Sequence, residues 1–445
     1  MSAEKPRQIA VRVLQRHGEG SRWLESLLEE ELARTALAPA DRALLHELTF
    51  GVVRWQRTLD WLIARKTAGR TQKNLLQILL RLGLYQLFWL DRIPDHAAVN
   101  DTVQLARELG FGPQSGFVNA LLRGCLRQRV SLERELEELK NRDPALGYSH
   151  PSWVCERWMG RWGPENGRAL LEWNNTPPAV FVRVNRLRTT AEELAAHWQG
   201  EGVRFERREY DWTGPELVFE LASHPALATL PSFRQGLFYV QDPSTLLAVR
   251  ELDPQPGDAV LDLCAAPGGK TTFIAQLMRN QGAVTAEEPD PERGQLIREN
   301  CDRLGVTCVR VLRPTASIHA AEAAAFDRIL VDPPCSNSGV MRRRVELRWR
   351  IQLAELERLR GLQLDLLRRA AARLKPGGTL VYSTCSLEPE ENGAVVREFL
   401  SGQPGFRLET ERELTPFVER VDGAYVARMC RLRIADCGLR IGNEQ

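Results

Sequence analysis

The sequence predicts a multidomain protein with an all-helical amino-terminal part, a small α+β module and a carboxy-terminal α/β domain. Three observations lead to this fold class. The chain has 445 residues, about three typical domain lengths. Apolar residues follow helical spacing to about residue 140, and strand-like runs alternate with helical ones from about residue 240. Hydrophobic residues make up 43% and charged residues 27% of the chain, which excludes a disordered or fibrous protein.

Residues 1–145 are predicted to form the helical domain. Apolar helix faces are marked by Ile9, Val13 and Leu14, by Trp23, Leu24, Leu27 and Leu28, and by Leu75, Ile78, Leu79, Leu82 and Tyr85. The tryptophans at helical spacing are expected in the core: Trp23, Trp55, Trp61 and Trp89. An acidic run over 133–138 and the turn-forming pairs Asp143-Pro144 and His150-Pro151 indicate the end of this domain.

Residues 146–238 mix strand and helix patterns and predict a small α+β linker or RNA-recognition module. A β-type run at 180–184 is followed by a helix capped at Thr189 or Thr190, with Glu193 at capping-box distance. Two further short strands are expected, at 203–206 and 217–221.

Residues 239–435 are predicted to form the α/β domain, followed by a tail at 436–445. The expected strands are 259–263, 282–287, 307–312, 328–332 and 379–383. Their alternation with helices is typical of a doubly wound parallel sheet, whose ligands bind beyond the carboxyl ends of the strands.

The first of these strands runs into a glycine-containing loop, Val260-Leu-Asp-Leu-Cys-Ala-Ala-Pro-Gly-Gly-Lys-Thr-Thr272. Adjacent glycines let the backbone approach a ligand, and the free N–H groups of a helix start can bind its anionic part. A Walker loop would need glycine where Cys264 stands, and the dinucleotide fingerprint is absent. A smaller adenosyl ligand fits best, with Glu287 or Glu288 after the next strand as acceptor for its ribose hydroxyls.

Two later strands end in reactive side chains. Asp332 and Cys335 follow the strand at 328–332, and Cys385 follows the strand at 379–383. Because parallel strands end at the same sheet edge, two thiols and a carboxylate are expected to converge near the glycine loop. Such a set suits methylation of cytosine C5: a thiolate adds to C6, C5 then attacks a methyl group, and a second group assists release. An Asp-Pro-Pro motif alone fits methylation of an exocyclic amino group equally well.

These motifs resemble those of a known family. VLDLCAAPGGKTT, DRILVDPPCSNSG, TLVYSTCSLEPEEN and DGAYVARM look like the motifs of the RsmB (Sun/Fmu) family of S-adenosylmethionine-dependent RNA 5-methylcytosine methyltransferases. IPDHAAVNDTVQLAR and SGFVNALLRGCLR resemble that family's NusB-like helical RNA-binding domain. The resemblance covers nearly the whole chain and implies a NusB-like bundle, the small module and a Rossmann-like methyltransferase domain.

The resemblance also implies residue roles. Cys385 would be the nucleophile, Cys335 the thiol that aids release, and Asp332 the carboxylate at the target ring and cofactor. The loop would hold the methionine part of the cofactor through Cys264, Ala265, Ala266, Pro267, Gly268, Gly269 and Lys270. Glu288 matches the ribose-binding acid, five residues before Arg293, and Glu287 is the alternative.

One position departs from the family. An acid normally follows the third strand and accepts a hydrogen bond from the adenine amino group, but here Arg313 aligns there and arginine cannot accept. No Asp or Glu occurs from Arg303 to Ala321. The sequence leaves open whether cofactor binding is weakened.

Basic residues suggest where RNA would bind. Residues 51–92 carry eight basic and two acidic side chains. A second cluster directly follows the Asp332 loop: Arg342, Arg343, Arg344, Arg348 and Arg350, with Trp349. Guanidinium and indole groups suit phosphate contact and base stacking. The alternative for either cluster is a solvated helix face with a core tryptophan.

The chain as a whole is close to neutral, with 60 basic and 58 acidic residues, so RNA binding is expected only on local faces. Nine cysteines without metal-type spacing predict neither disulfides nor a metal site. No signal peptide or apolar run of membrane length is found, so a monomeric cytoplasmic protein without membrane contact is expected.

We therefore expect an enzyme that makes 5-methylcytosine in small-subunit (16S) ribosomal RNA. Two alternatives stay open: a related enzyme acting on transfer RNA or another RNA, and an RNA-binding ribosome assembly factor with a degenerate cofactor site. The sequence does not name the target cytidine or say whether the substrate is naked RNA or an assembling subunit.

Overall fold

The computed structural model describes residues 5–20, 22–313 and 325–433, which form two compact units. The first unit contains the chain up to Thr176 together with Met341–Arg350, and the second contains Pro177–Val340 and the chain from Ile351 onward. The predicted tail 436–445, with Cys437, lies outside the described residues. In the ranges described, none of the helices combines the length and apolar character needed to cross a bilayer.

The first unit is helical, as predicted. Its helices are α1 (Pro6–Glu19), α2 (Leu24–Arg34), α3 (Pro39–Arg54), α4 (Gln56–Thr67), α5 (Asn74–Trp89), α6 (Asp95–Glu108), α7 (Ser115–Arg127), α8 (Arg129–Arg142), α9 (Pro144–Gly147) and α10 (Ser152–Trp173), with a one-turn helix at Leu347–Arg350. The leucine-rich α5 is buried along most of its length and contributes heavily to the core. Trp55, Trp61 and Trp89 pack against this core, but Trp23 is 41% exposed, so its prediction was wrong.

The helical unit extends past the predicted boundary at residue 145. The acidic run 133–138 lies inside α8. Asp143-Pro144 does not end the helices but starts α9, because Pro144 occupies the first turn and the Asp143 side chain accepts from the Leu146 N–H. Helix α10 then continues to Trp173. It is interrupted at Gly163, which has a non-helical φ of 81° and is followed by Pro164.

The segment Met341–Arg350 is built into the helical unit, and this changes the interpretation of the second arginine cluster. Arg348 is fully buried. Its guanidinium donates to Arg54 O (3.2 Å), Ser149 O (3.3 Å), Asn174 O (3.0 Å) and Asn175 Oδ1 (2.8 Å). Burial lowers the pKa of Arg348, and these four acceptors are neutral carbonyl groups.

Other members of the same segment are also occupied within the unit. Arg342 is 3% exposed, and its guanidinium lies 3.8 Å from the centre of the Trp173 ring. The indole of Trp349 donates to Val53 O at 2.8 Å. The expectation that Arg342 and Arg348 contact RNA is therefore corrected, because both guanidinium groups are buried in protein contacts. Arg343 is half-buried and Arg344 is exposed.

The second unit contains a small and a large sheet. The small sheet has β1 (Val180–Val184), β2 (Arg204–Arg208), β3 (Val218–Ser223) and β4 (Phe238–Val240), and the large sheet has β5 (Ala259–Leu263), β6 (Ala283–Glu287), β7 (Val309–Leu312), β8 (Phe326–Val331), β9 (Leu374–Thr384), β10 (Phe406–Leu414) and β11 (Ala424–Arg431). The helices are α11 (Ala191–Glu201), α12 (Pro231–Arg234), α13 (Leu246–Leu252), α14 (Gly269–Leu277), α15 (Pro291–Leu304), α16 (Leu353–Arg373), α17 (Gly393–Ser401) and α18 (Pro416–Glu419). Short 3₁₀ turns lie at Leu227–Thr229, Pro243–Thr245 and Ser338–Val340.

The small sheet is antiparallel in the order β2-β3-β1-β4. It includes each predicted strand and adds β4; the bounds of β1 are as predicted, and those of β2 and β3 are shifted by one or two residues. The expected capping box is present at the start of α11: the Thr190 hydroxyl accepts from the Glu193 N–H, and the Glu193 carboxylate accepts from the Thr190 N–H.

The large sheet has the order β10-β11-β9-β8-β5-β6-β7. The five predicted strands are parallel, but β11 is antiparallel to β9 and to β10, so the sheet is mixed rather than fully parallel. The link between β10 and β11 is too short for a crossover helix that would return the chain in parallel. The chain leaves β5 toward β6 and β7 and later returns on the other side of β5 at β8, which opens a crevice at the carboxyl ends of β5 and β8.

A buried carboxyl group supports the junction of β5 and α14. Asp262 lies in β5 with no exposed surface, and its Oδ2 accepts from Thr271 Oγ1 at 2.6 Å. Its Oδ1 receives no hydrogen bond from the described residues. Burial raises the pKa of Asp262 to about 7, so near neutral pH this carboxyl is partly protonated.

We predict that Arg348→Ala destabilises the protein rather than weakening RNA contact. The substitution leaves a cavity and several buried carbonyl groups without a donor, so the free energy of unfolding should fall by about 3 kcal/mol in urea denaturation. Arg344→Ala, which alters an exposed neighbour, should change it by less than about 0.5 kcal/mol. Equal stability of the two variants would contradict the structural role of Arg348.

We also predict that Asp262 makes stability depend on pH. Its pKa is about 7 in the folded protein against a usual value of 3.8, so folding favours the protonated form. The contribution is present below about pH 4 and is lost as pH rises through 7, by roughly 4 kcal/mol in total. Asp262→Asn should remove this slope in urea unfolding measured from pH 5 to pH 8. Parallel pH profiles for the two proteins would refute the assignment.

Candidate active site

The loop between β5 and α14 forms a backbone cradle at the carboxyl edge of the large sheet. Cys264 has a φ of 61° and Gly268 a φ of 99°, and the helix begins at Gly269. A Cβ on Gly268 would come within 3.3 Å of the Ile297 backbone, so conformation and space both favour glycine there. The Ala265 N–H donates to Glu287 O at 3.1 Å, which ties the loop to β6.

A buried arginine that the sequence analysis missed lies under this loop. Arg183 in β1 donates to Gly269 O at 2.8 Å and to Thr272 Oγ1 at 3.0 Å. It is 1% exposed, and burial lowers its pKa to about 9. These bonds attach the small sheet to the first turn of α14. The partners are about ninety residues away in sequence, so no local pattern could have identified them.

Asp332 lies at the end of β8, beside the cradle, where it is held by two side chains. Lys270 Nζ donates to its Oδ2 at 2.7 Å, and Ser383 Oγ donates to its Oδ1 at 2.8 Å. Burial alone would lower the pKa of Lys270, but the Asp332 carboxylate outweighs it and raises that pKa. Three strand ends, those of β5, β8 and β9, thus contribute to one polar cluster.

Cys335 and Cys385 are brought together as the sequence analysis expected. Their sulfur atoms are 3.4 Å apart, and the Cys385 thiol donates to Asn337 Oδ1 at 3.0 Å. The contact with Cys385, reinforced by burial, raises the pKa of Cys335 well above its usual range. Cys335 therefore stays protonated and can serve as the hydrogen-bond donor to a Cys385 thiolate. Burial raises the pKa of Cys264 to about 12, which disfavours that thiol as a nucleophile.

Glu391 connects the two cysteine loops and is the second residue that the sequence analysis missed. Its Oε1 accepts from the Ser336 N–H at 2.8 Å and from Gln363 Nε2 at 3.0 Å, and its Oε2 accepts from Ser386 Oγ at 2.5 Å. Ser336 follows Cys335 and Ser386 follows Cys385, so one carboxyl group fixes both loops. Burial raises the pKa of Glu391 despite these donors. The Glu-Pro-Glu-Glu-Asn run after the second cysteine was the available signal.

The two candidate ribose acids differ in their partners. Glu288 Oε1 accepts from the Asp290 N–H at 3.1 Å, and Glu288 Oε2 lies 3.7 Å from Arg293 Nη1. Glu287 pairs with Arg373 of α16, with Oε1 and Nη1 2.8 Å apart. Both acids are buried. Arg313, at the place of the expected adenine-binding acid, is exposed just after β7, and residues 314–324 lie outside the described ranges.

These residues fit S-adenosylmethionine. The loop is partly exposed at Cys264, Ala266, Pro267 and Gly269, and Glu288 Oε2 is a buried acceptor that receives no hydrogen bond from the described residues. An acceptor of that kind suits a ribose hydroxyl. The loop Cys264–Lys270 would hold the amino acid part, close to Asp332 and the cysteine pair.

Comparisons with known proteins identify the family of the chain. Family models match 249–429 as the 16S rRNA methyltransferase RsmB/F, 4–127 as the NusB family and 150–214 as an RsmF/B-like ferredoxin-like domain. The structure of a methyltransferase homolog from Pyrococcus horikoshii is similar with a TM-score of 0.57 at 32% identity, covering 65% of this chain and 98% of that one.

Two curated relatives match along almost the whole length. The probable ribosomal RNA small subunit methyltransferase B of Bacillus subtilis is 34% identical, over 94% of each chain. The ribosomal RNA small subunit methyltransferase B of Klebsiella pneumoniae is 35% identical, over 96% of this chain and 98% of that protein. The chain thus belongs to the ribosomal RNA small subunit methyltransferase B family, and S-adenosylmethionine is its cofactor.

Proposed function

We propose that this protein methylates C5 of a cytidine in small-subunit (16S) ribosomal RNA through a covalent bond between Cys385 and C6. The observation that carries the proposal is the pair of thiols 3.4 Å apart at the sheet edge that also presents Asp332. Methylation of an exocyclic amino group needs no thiol, because that nitrogen supplies its own electron pair. Carbon 5 of cytosine is a poor nucleophile until a thiolate has added to C6.

The cofactor site is proposed to consist of the loop Cys264–Lys270, Glu288 and Asp332. When bound, S-adenosylmethionine supplies an electrophilic methyl group. Arg183 donates a hydrogen bond to Gly269 O, and Ile297 lies next to Gly268. These contacts shape the loop before a ligand binds. Lys270, which is also the second residue of α14, links the cradle to Asp332.

Cys385 begins the reaction by giving its proton to solvent and forming a bond from its sulfur to C6. Cys335 stabilises the thiolate through its own S–H. The electrons of the C5–C6 double bond move toward N3, and the Asp332 carboxyl group hydrogen-bonds this part of the ring. The resulting enamine carbon, C5, then attacks the methyl group. Asn337 keeps Cys385 oriented throughout.

Release needs a second step at the same carbon. After methylation, C5 still carries its original proton, and the bond to Cys385 cannot break until that proton leaves. When solvent accepts that proton, the electron pair of the C5–H bond forms the C5–C6 double bond again and expels the Cys385 thiolate. Cys335 assists by donating its S–H to the departing sulfur, 3.4 Å away. Each cysteine therefore has a separate task, and Glu391 holds both in register.

RNA contact is proposed on exposed basic side chains of the helical unit. In the first cluster Arg54 is buried and Arg81 pairs with Asp60, whereas Arg70, Lys73 and Arg92 are exposed. Lys66 and Arg70 line a concavity of about 510 Å³ together with the exposed ring of Phe117. Cationic groups beside an aromatic ring suit a single-stranded RNA segment. Of the second cluster, we propose that Arg343 and Arg344 contact RNA.

We predict opposite outcomes for the two cysteine variants. Cys385→Ala should lower methylation of small-subunit RNA by at least ~10³-fold, because no adduct can form. Cys335→Ala should also lose turnover but accumulate a protein–RNA adduct that survives denaturing electrophoresis. Cys430→Ala, a half-buried thiol on β11, serves as the matched control and should behave as wild type. Full turnover by Cys385→Ala would overturn the mechanism.

We predict that the methyl group appears on C5 and in small-subunit ribosomal RNA. Mass spectrometry of nucleosides from RNA treated in vitro should show 5-methylcytidine and not N4-methylcytidine. Bisulfite sequencing of total RNA should show one protected cytidine of the small-subunit RNA becoming unprotected in a strain that lacks the gene. A loss confined to transfer RNA would refute the substrate assignment while leaving the chemistry intact.

A further inference from the structure

A cavity of about 270 Å³ lies beside the cofactor cradle. Its walls are mainly apolar and include Leu263, Pro289, Pro334, Leu362 and Leu366. Cys264 of the cradle also contributes to its lining. The cavity therefore joins the carboxyl ends of β5, β6 and β8 to the face of α16, within the second unit.

A buried carboxylate faces this apolar cavity. Glu287 lines it, is 2% exposed, and receives no hydrogen bond from the described residues on either carboxylate oxygen. Its negative charge is balanced by the Arg373 guanidinium, also buried, 2.8 Å from Oε1. An ion pair compensates the charge but leaves hydrogen-bonding capacity unused, which is costly unless a ligand supplies a donor.

The chemistry of the cofactor matches these features. With its amino acid part in the loop Cys264–Lys270 and its ribose at Glu288, the remaining group is adenine. Adenine is a flat aromatic ring whose faces pack against apolar side chains, and it carries one exocyclic amino group, which is a donor. Glu287 and Pro289 are the sequence neighbours of Glu288, and both line the cavity. The cavity is therefore next to the proposed ribose-binding acid.

We infer that Glu287, held by Arg373, accepts a hydrogen bond from the amino group of the cofactor's adenine and selects that base. This role falls to Glu287 in this chain because the strand end after β7 carries the exposed Arg313, which cannot accept. Glu287 is thus a specificity residue for the cofactor and not a second ribose acid. The inference rests on the cofactor assignment and is independent of the cytosine C5 chemistry.

The test compares two ligands by calorimetry: S-adenosylhomocysteine and its analogue with hypoxanthine in place of adenine. Hypoxanthine has a carbonyl oxygen where adenine has the amino group. This oxygen would face the Glu287 carboxylate, and both groups are acceptors. Wild type should bind the adenine ligand at least ~10-fold more tightly. In Glu287→Gln this preference should fall below about threefold, because the amide N–H group can donate to the hypoxanthine oxygen.

Controls separate recognition from folding. Glu299→Gln, an exposed change on α15, should keep the wild-type preference. The double variant Glu287→Gln/Arg373→Met removes both charges of the ion pair, so it tests the base preference with the local charge balanced. A thermal unfolding transition like that of wild type shows that a variant is folded.

Three results would count against the inference. Equal affinity of wild type for the two ligands would overturn it, and so would an unchanged preference in both Glu287 variants. Failure of wild type to bind S-adenosylhomocysteine at all would overturn the cofactor site itself. If wild type prefers the adenine ligand but Cys335→Ala forms no protein–RNA adduct, only the proposed reaction is refuted.

Discussion

The arrangement of the active site depends on the buried carboxyl group of Glu391. Burying such a group is unfavourable, and the donors from Ser336, Gln363 and Ser386 offset that cost only when both cysteine loops are in place. Sheet register alone brings the ends of β8 and β9 to the same edge but does not set the distance between two flexible thiols. The shared carboxyl group does, so the two sulfur atoms are positioned relative to each other before RNA binds.

The parts of the site that sequence reasoning reached are those written in local patterns. The strand at 259–263 was placed at its observed bounds, because an apolar run ends in glycines that only a tight turn explains. Cys335 and Cys385 followed from a general property of parallel sheets, whose strand ends share one edge. The antiparallel hairpin β10–β11 was missed, because most residues of β10 are polar and few are buried, so it shows no apolar strand run.

The residues that sequence reasoning missed or misassigned have partners far away in the chain. A run of arginines looks the same whether it lies on a surface or among backbone carbonyls, and the acceptors of Arg348 lie 173 to 294 positions earlier. Arg183 acts through long-range bonds, which carry no spacing signal. Glu391 bonds locally to Ser386, but its bonds to Ser336 and Gln363 are long-range. The roles of Arg348, Arg183 and Glu391 therefore became visible only in the tertiary structure.

The placement of Met341–Arg350 has a consequence for how the protein is made. The carbonyl groups of Arg54, Ser149 and Asn174 receive their donor from a residue that leaves the ribosome long after the helices themselves. During synthesis part of the interior of the helical unit lacks its donor until the eight strands β1–β8 and the loop with Cys335 have emerged. A fragment that stops at Thr176 consequently lacks the Arg348 guanidinium. The last segment of the helical unit is therefore synthesised between two parts of the second unit.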